Sequence, residues 1–152
     1  MAASAWTFFD SFKQKLGDGT IDLDTDVFKI GLYQSSSNIT LATLSIRSSV
    51  TNEVASAGNY VLGGRTVSAV TWGAGASAGV RRFDATAKIF TASGANIANI
   101  RFALIYDNTA GTSAGDRPVV CKAALTTAQF TLADGNTLTI TPNNPNGIFE
   151  LT

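Results

Sequence analysis

Val27-Phe28-Lys29-Ile30-Gly31-Leu32-Tyr33 is the stretch that sets the fold class. In an extended chain Phe28, Ile30 and Leu32 point one way and Lys29 and Gly31 the other. That is the period of a strand with one face on a core. Toward the C-terminus the same signal returns. Residues 66–72 read T-V-S-A-V-T-W, rich in β-branched and aromatic types. Residues 82–91 place Phe83, Ala85, Ala87 and Ile89 on one side. Residues 97–106 form the longest apolar segment, broken by Asn99 and Arg101, with Ile100, Phe102, Leu104 and Tyr106 expected on a shared face. Val119–Ala124 is a further predicted strand. Phe130-Thr131-Leu132 and Leu138-Thr139-Ile140 flank Ala133-Asp134-Gly135-Asn136, whose Asp-Gly pair predicts a hairpin. The turn-rich stretch from Pro142 to Gly147 leads into a terminal strand, Ile148-Phe149-Glu150-Leu151.

Toward the N-terminus the period changes. Phe9, Phe12 and Leu16 recur at spacings of three and four, which predicts a short helix with Ser4 as N-cap. Gly17 and the pair Asp18-Gly19 end it. Trp6 and Phe8 lie off this stripe and are expected to close over the domain's own core or to meet a neighbour. About eight short strands behind one helix predict a mainly β chain, an antiparallel β-sandwich or jelly-roll-like barrel with one short N-terminal α-helix. A length of 152 residues fits one domain, with 1–17 as the helical segment and 18–152 as the sandwich. Such a chain buries about two-thirds of its unfolded surface and needs no metal or disulfide staple.

Composition narrows the function. Lys+Arg and Asp+Glu are 11 each, a balance that argues against a nucleic-acid binder. There is no histidine, which excludes Ser-His-Asp and Cys-His catalysis and imidazole-held zinc. Only 14% of residues are charged, as expected of a protein that hides surface against partners. Cys121 is the one cysteine, so no internal disulfide can form, and its strand context predicts a buried thiol. No apolar run reaches the roughly 18 residues of a membrane span. The first six residues carry no basic region before an apolar run, which predicts no secretory signal and synthesis in a cytoplasm.

Few stretches hold candidate chemistry. Asp18, Asp22, Asp24 and Asp26 could offer oxygen ligands to calcium, but the spacing is not that of an EF-hand. If 22–26 is extended, its three aspartates share one face, opposite Ile21 and Leu23, and serve as a charged strand edge. Residues 58–64, G-N-Y-V-L-G-G, read as a strand ending in a glycine turn rather than a phosphate loop. Arg81 and Arg82 form an isolated basic pair that could anchor on an acidic patch of a partner. Asp84, Asp107, Asp116 and Glu150 show no spacing that selects a catalytic pair, and no Gly-x-Ser-x-Gly elbow is present. No enzyme, metal or cofactor is expected.

An ordered series of motifs resembles a family of small virion structural proteins of tailed bacteriophages. Phe12-Lys13-Gln14-Lys15-Leu16 leads into Asp24-Thr25-Asp26-Val27-Phe28-Lys29-Ile30-Gly31-Leu32-Tyr33. Then come Gly58-Asn59-Tyr60 with Gly63-Gly64, and Phe90-Thr91-Ala92-Ser93-Gly94-Ala95-Asn96-Ile97. Phe102-Ala103-Leu104-Ile105-Tyr106-Asp107-Asn108-Thr109 follows, and the series ends with Asp134-Gly135-Asn136-Thr137-Leu138-Thr139-Ile140 and Asn146-Gly147-Ile148-Phe149. Only 40–56 matches nothing in the pattern. The resemblance implies a capsid decoration (cement) protein on the outer head surface of the virion, made in the bacterial host cytoplasm. Its partner would be the phage major capsid protein, with no nucleic acid and no membrane involved, and it would form a homo-oligomer, dimer or trimer. Trp6, Phe8, Arg81 and Arg82, with the small-residue loops around Gly73 and Gly111, are the expected contact residues. The alternatives are a tail or connector component, and a calcium- or carbohydrate-binding sandwich that would use the aspartates with Trp72 and Tyr60.

Overall fold

The alternating stretch forms an inner strand of an antiparallel sheet. In the computed structural model of the chain, residues 4–109, 116–141 and 147–151 are described. In order they form β1 (Thr7–Phe8), α1 (Asp10–Gly17), β2 (Phe28–Tyr33), β3 (Arg65–Thr66), β4 (Thr71–Ala74) and β5 (Arg81–Asp84). Then follow β6 (Lys88–Thr91), β7 (Ile97–Ile100), β8 (Phe102–Asp107), β9 (Val119–Ala124), β10 (Phe130–Leu132), β11 (Thr137–Ile140) and β12 (Phe149–Leu151). The largest sheet runs β1-β9-β8-β2-β3, with Ile30 opposite Ile105 and Leu104 opposite Lys122. A three-stranded sheet, β12-β5-β4, and the pairs β11-β6 and β10-β7 complete the strands.

The core explains the sandwich. Phe28, Ile30 and Leu32 of β2, Ala103 and Ile105 of β8 and Val120 of β9 share one buried cluster with Phe83, Phe90, Ile97, Ile140 and Phe149 from the other strands. Phe28 and Phe83 meet edge-on across it, with ring centroids 5.0 Å apart. Each such side chain contributes about 1.5–3 kcal/mol on burial. The opposite face of the large sheet is covered too. There Tyr33, Phe102, Leu104 and Tyr106 pack under Phe9, Ile39, Leu44 and Val50. The cover is residues 34–55, with two 3₁₀ turns, Asn38–Thr40 and Arg47–Ser49. Burial on both faces is why β8 is apolar almost without alternation, since every residue in it is buried.

Several boundaries differ from expectation. The helix begins at Asp10, and Phe9 occupies its N-cap without a side-chain cap. Ser4 is engaged elsewhere. Its N–H donates to the Ala124 carbonyl and its Oγ accepts from the Ala124 N–H, both at 2.8 Å, so the segment before the helix is tied to β9. Residues 66–72 and 82–91 are each divided between two strands, and the first break contains Ala69 at φ +49°. At Arg101 the long apolar segment breaks, because its N–H leaves the strand to bond the Tyr33 carbonyl. Ile100 therefore enters the sandwich core, while Phe102, Leu104 and Tyr106 share the other face.

The expected hairpin is replaced by a bent ribbon. Residues 133–136 do turn, with Gly135 at φ +82°, but β10 pairs with β7 and β11 with β6. The turn locks onto the corner at 92–96 instead. Gly94 N–H donates to Asp134 Oδ1 (2.8 Å), Asp134 N–H to Asn96 Oδ1 (2.9 Å) and Ala92 N–H to the Asn136 carbonyl (2.9 Å). Two matched corners thus bend one antiparallel ribbon.

Candidate functional site

The four predicted contact residues fall on two different sheets. Trp6 and Phe8 flank Thr7 at the edge strand β1 and are half-buried against the sandwich core. The Phe8 ring stacks on Phe12 at 5.1 Å and meets Phe149 edge-on at 4.6 Å. Arg81 and Arg82 lie on β5, the middle strand of its sheet. Successive strand residues face opposite ways, so the pair does not make one basic patch. Arg81 is exposed; Arg82 is half-buried, opposite Glu150, with its Nε 3.9 Å from Asp84 Oδ2. The loop after Gly73 is a tight exposed connection between β4 and β5, with Ala76 N–H donating to Glu150 Oε1 (2.8 Å). Gly111 lies outside the described residues.

The aspartate run is a turn, not a strand edge. Asp22 Oδ1 accepts from the N–H groups of Asp24 (2.9 Å) and Thr25 (3.3 Å), and Asp26 Oδ2 accepts from Asp22 N–H (2.7 Å). Asp18 Oδ1 accepts from Thr20 N–H (2.9 Å). The Thr20 hydroxyl, and then its N–H, hold the Asp18 carboxyl below the usual range, and the bond from Asp24 N–H does the same chiefly for Asp22. Ile21 and Leu23 both enter the core. No group of three or more His, Cys, Asp or Glu that could hold a metal ion is present among the described residues. Cys121 is fully buried, and desolvation pushes its thiol well up.

The densest polar arrangement was not legible as a site. It centres on Glu53, in the stretch that matches no motif. Glu53 Oε1 accepts from the Tyr60 hydroxyl (2.7 Å) and from Gly63 N–H (2.6 Å), and Oε2 accepts from Arg47 Nη2 (2.7 Å). The Tyr60 oxygen in turn accepts from Leu32 N–H at 2.9 Å, and the Tyr106 hydroxyl donates to the Gly63 carbonyl at 2.6 Å. The Arg47 guanidinium carbon lies 5.2 Å from the Tyr106 ring centroid. Gly64, at φ +66°, passes so close to β2 that a Cβ would stand 2.0 Å from the Ile30 carbonyl oxygen. Burial, and then the charge of Glu53, push the hydroxyls of Tyr33 and Tyr60 far up; burial raises that of Tyr106. Apart from Arg47 Nε, which is buried without a hydrogen-bond partner, these bonds join into one network, a clamp that fixes the 53–64 segment to β2 and β8. The clue in the sequence was a single Arg47 and a single Glu53 within a Ser- and Thr-rich run.

A cleft of about 180 Å³ opens between the covering segment and the β1 end of the large sheet. Its walls include Ser4, Thr7, Thr40, Phe102, Lys122 and Ala124. Small-molecule sites occupy about 300–1,000 Å³, so this one has room for a single side chain. Lys122 is the only charged wall residue among the described residues; Nζ lies 4.7 Å from the Phe9 ring centroid.

No family model, curated protein or solved structure matches the chain. K-I-G-L-Y is in β2, F-A-L-I-Y-D in β8, and G-N-Y-V-L-G-G is the clamp loop. F-T-A-S-G-A-N and D-G-N-T-L-T-I hold the two corners of the ribbon. Apart from Val61 and Leu62 in the clamp loop, these motifs serve the framework. Outward the framework presents Val61 and Leu62 (64% and 56% accessible), the cleft and the loop after Gly73, besides the exposed side chains of Val27, Leu41 and Ile89.

Proposed function

We propose that this chain is a capsid decoration protein of a tailed bacteriophage, bound to the outer face of the major capsid protein and reinforcing the shell. The observation that carries the reading is the ordered motif series, which extends from Phe12 to Phe149. Two features of the surface support it. The exposed pair Val61-Leu62 sits on a turn whose two ends, Tyr60 and Gly63, are both bonded to Glu53, so an apolar tip is held rigid for burial against a neighbour. Separate contact elements on two sheets suit multivalent attachment, in which dissociation must break several contacts at once. The protein acts as a dimer or trimer on the particle, because closed symmetry lets one surface repeat across equivalent shell subunits.

Stoichiometry in purified particles tests the proposal, by densitometry against the major shell protein. Hundreds of copies in a simple ratio are expected. A few copies per particle would move the protein to the tail or connector, and absence from particles would overturn both virion readings. The carbohydrate alternative loses one of its residues, because the Tyr60 ring is buried and its hydroxyl is engaged by Glu53 and Leu32. In the calcium alternative Asp18, Asp22 and Asp26 already accept backbone N–H groups in their own turns.

A further inference from the structure

We propose that the cleft between β1, β9 and the Asn38–Thr40 turn is the socket for a glutamate-bearing segment of the shell protein, with Lys122 as the anchoring cation. The inference rests on the decoration reading and deepens it by naming the contact chemistry. Three observations carry it.

The first is size, since about 180 Å³ admits one side chain and no cofactor. The second is the wall. Ile39, Phe102, Ala123 and Ala124 give it apolar surface, matching the methylene stem of a long side chain, and Ser4, Thr7 and Thr40 add hydroxyl-bearing residues. The third is charge. Among the described residues Lys122 is the single charged one in the wall, and no carboxylate of those residues lies within 4.0 Å of its ammonium. Asp10, at the start of α1, is the carboxylate whose field reaches it. The ammonium rests over the Phe9 ring and is partly desolvated, so it has lost water without gaining a bonded anion. A glutamate satisfies both demands, with its stem in the cleft and its carboxylate on Nζ. A glutamine would lose the charge-assisted bond and a lysine would be repelled. The socket is also pre-formed. Lys122 is fixed in β9 opposite Leu104 and Thr7, and Ser4 is bonded to Ala124 at both its N–H and its Oγ.

The test has two arms. In the first, shells stripped of the protein are reloaded with wild type, Lys122→Arg, Lys122→Glu, Thr40→Trp and, as a matched charge change elsewhere, Lys13→Glu. Thr40 is exposed on its 3₁₀ turn, so tryptophan there plugs the cleft without entering the core. Circular dichroism first establishes that each variant is folded. Lys122→Glu and Thr40→Trp should cut bound copies at least tenfold, while Lys122→Arg and Lys13→Glu stay within threefold of wild type. Full loading by Lys122→Glu, or equal loss by Lys13→Glu, overturns the socket while leaving the decoration reading standing. If wild type does not load at all, the decoration reading fails, and the second arm decides the socket alone. There, acetyl-Ala-Glu-Ala-amide is titrated into the protein by NMR beside its Gln and Lys counterparts. Shifts at Thr7, Thr40 and Ala124 for the glutamate peptide only, lost in Lys122→Met, support the socket. Equal shifts for all three peptides, or none, overturn it.

Discussion

Glu53 shows how much a single side chain can organise. Its two oxygens take bonds from a tyrosine, a backbone amide and a guanidinium, which together join the covering segment to the large sheet. Replacing it by alanine strands those three donors at once. Each buried unpaired donor costs about 1–3 kcal/mol, less where water reaches it as at the partly exposed Arg47. Glu53→Ala should therefore lose about 3–5 kcal/mol in urea unfolding, and a loss under 1 kcal/mol would mean the clamp is ornamental. Two backbone positions make an opposite pair. Ala69 holds φ +49°, a conformation that strains any Cβ, and it is exposed. Relief of about 1–2 kcal/mol outweighs the 0.4–1 kcal/mol gained by the unfolded chain, so Ala69→Gly should stabilise by about 0.5–1 kcal/mol. Gly64→Ala should instead abolish folding, because its Cβ would stand 2.0 Å from a backbone oxygen. A melt shifted upward for Ala69→Gly, and no cooperative melt for Gly64→Ala, check both claims. Neither Glu53 nor Ala69 was readable beforehand. One carboxylate in a polar run has no period, and an alanine carries no sign of its φ angle.

At the scale of elements, alternation told where strands lie but not which strands pair. The segments at 28–33 and 119–124 match the expected strands closely because one continuous pattern runs through each. The expected hairpin at 130–140 failed for a physical reason. An Asp-Gly turn fixes the chain reversal, whereas pairing was decided by a second corner whose polar groups fit it. Gly94 and Asn96 bind Asp134, and this bond pattern is non-local. The Asp134→Ala change should therefore loosen both corners together. Hydrogen exchange should quicken at Gly94 and Ala92 as well as at Gly135, with β2 and β8 unaffected, and stability should fall by about 0.5–1.5 kcal/mol. Exchange rising at 133–136 alone would show that the corners are independent. The same limit applied to the candidate contacts. Trp6, Phe8, Arg81 and Arg82 were recognised as large or charged residues near element ends, but adjacency in sequence separated the arginines to opposite faces of β5 and left Lys122 unnoticed in an apolar strand.

At the scale of the molecule, all three tyrosines of the chain lie in or against the clamp, and this ties global stability to alkaline pH. Their hydroxyls are raised above the ordinary value of about 10 in the folded state, chiefly by burial. The unfolded chain therefore releases these protons first. Above pH about 10 it holds fewer protons than the native state, so the slope of unfolding free energy against pH is negative. The stabilisation is complete below that pH and is lost as pH rises toward the folded values, at up to about 1.4 kcal/mol per pH unit for each tyrosine. Lys15 and Lys122 act in the opposite sense. Their folded values are lowered by desolvation, so they add stability as pH climbs to about 10.4 and nothing beyond it. Stability should thus hold up to pH about 10 and then fall steeply. Absorbance near 295 nm should show no tyrosinate in the native protein at pH 10.5, then a cooperative rise coincident with loss of the far-ultraviolet β signal. Tyr60→Phe removes a hydroxyl that both donates to Glu53 and accepts from Leu32, so it should lower neutral stability while making the alkaline fall shallower by about one proton. Tyrosinate appearing with a midpoint near 10 while the β signal stays intact would show that water reaches the clamp and would remove it as the element that fixes the covering segment to the sheet.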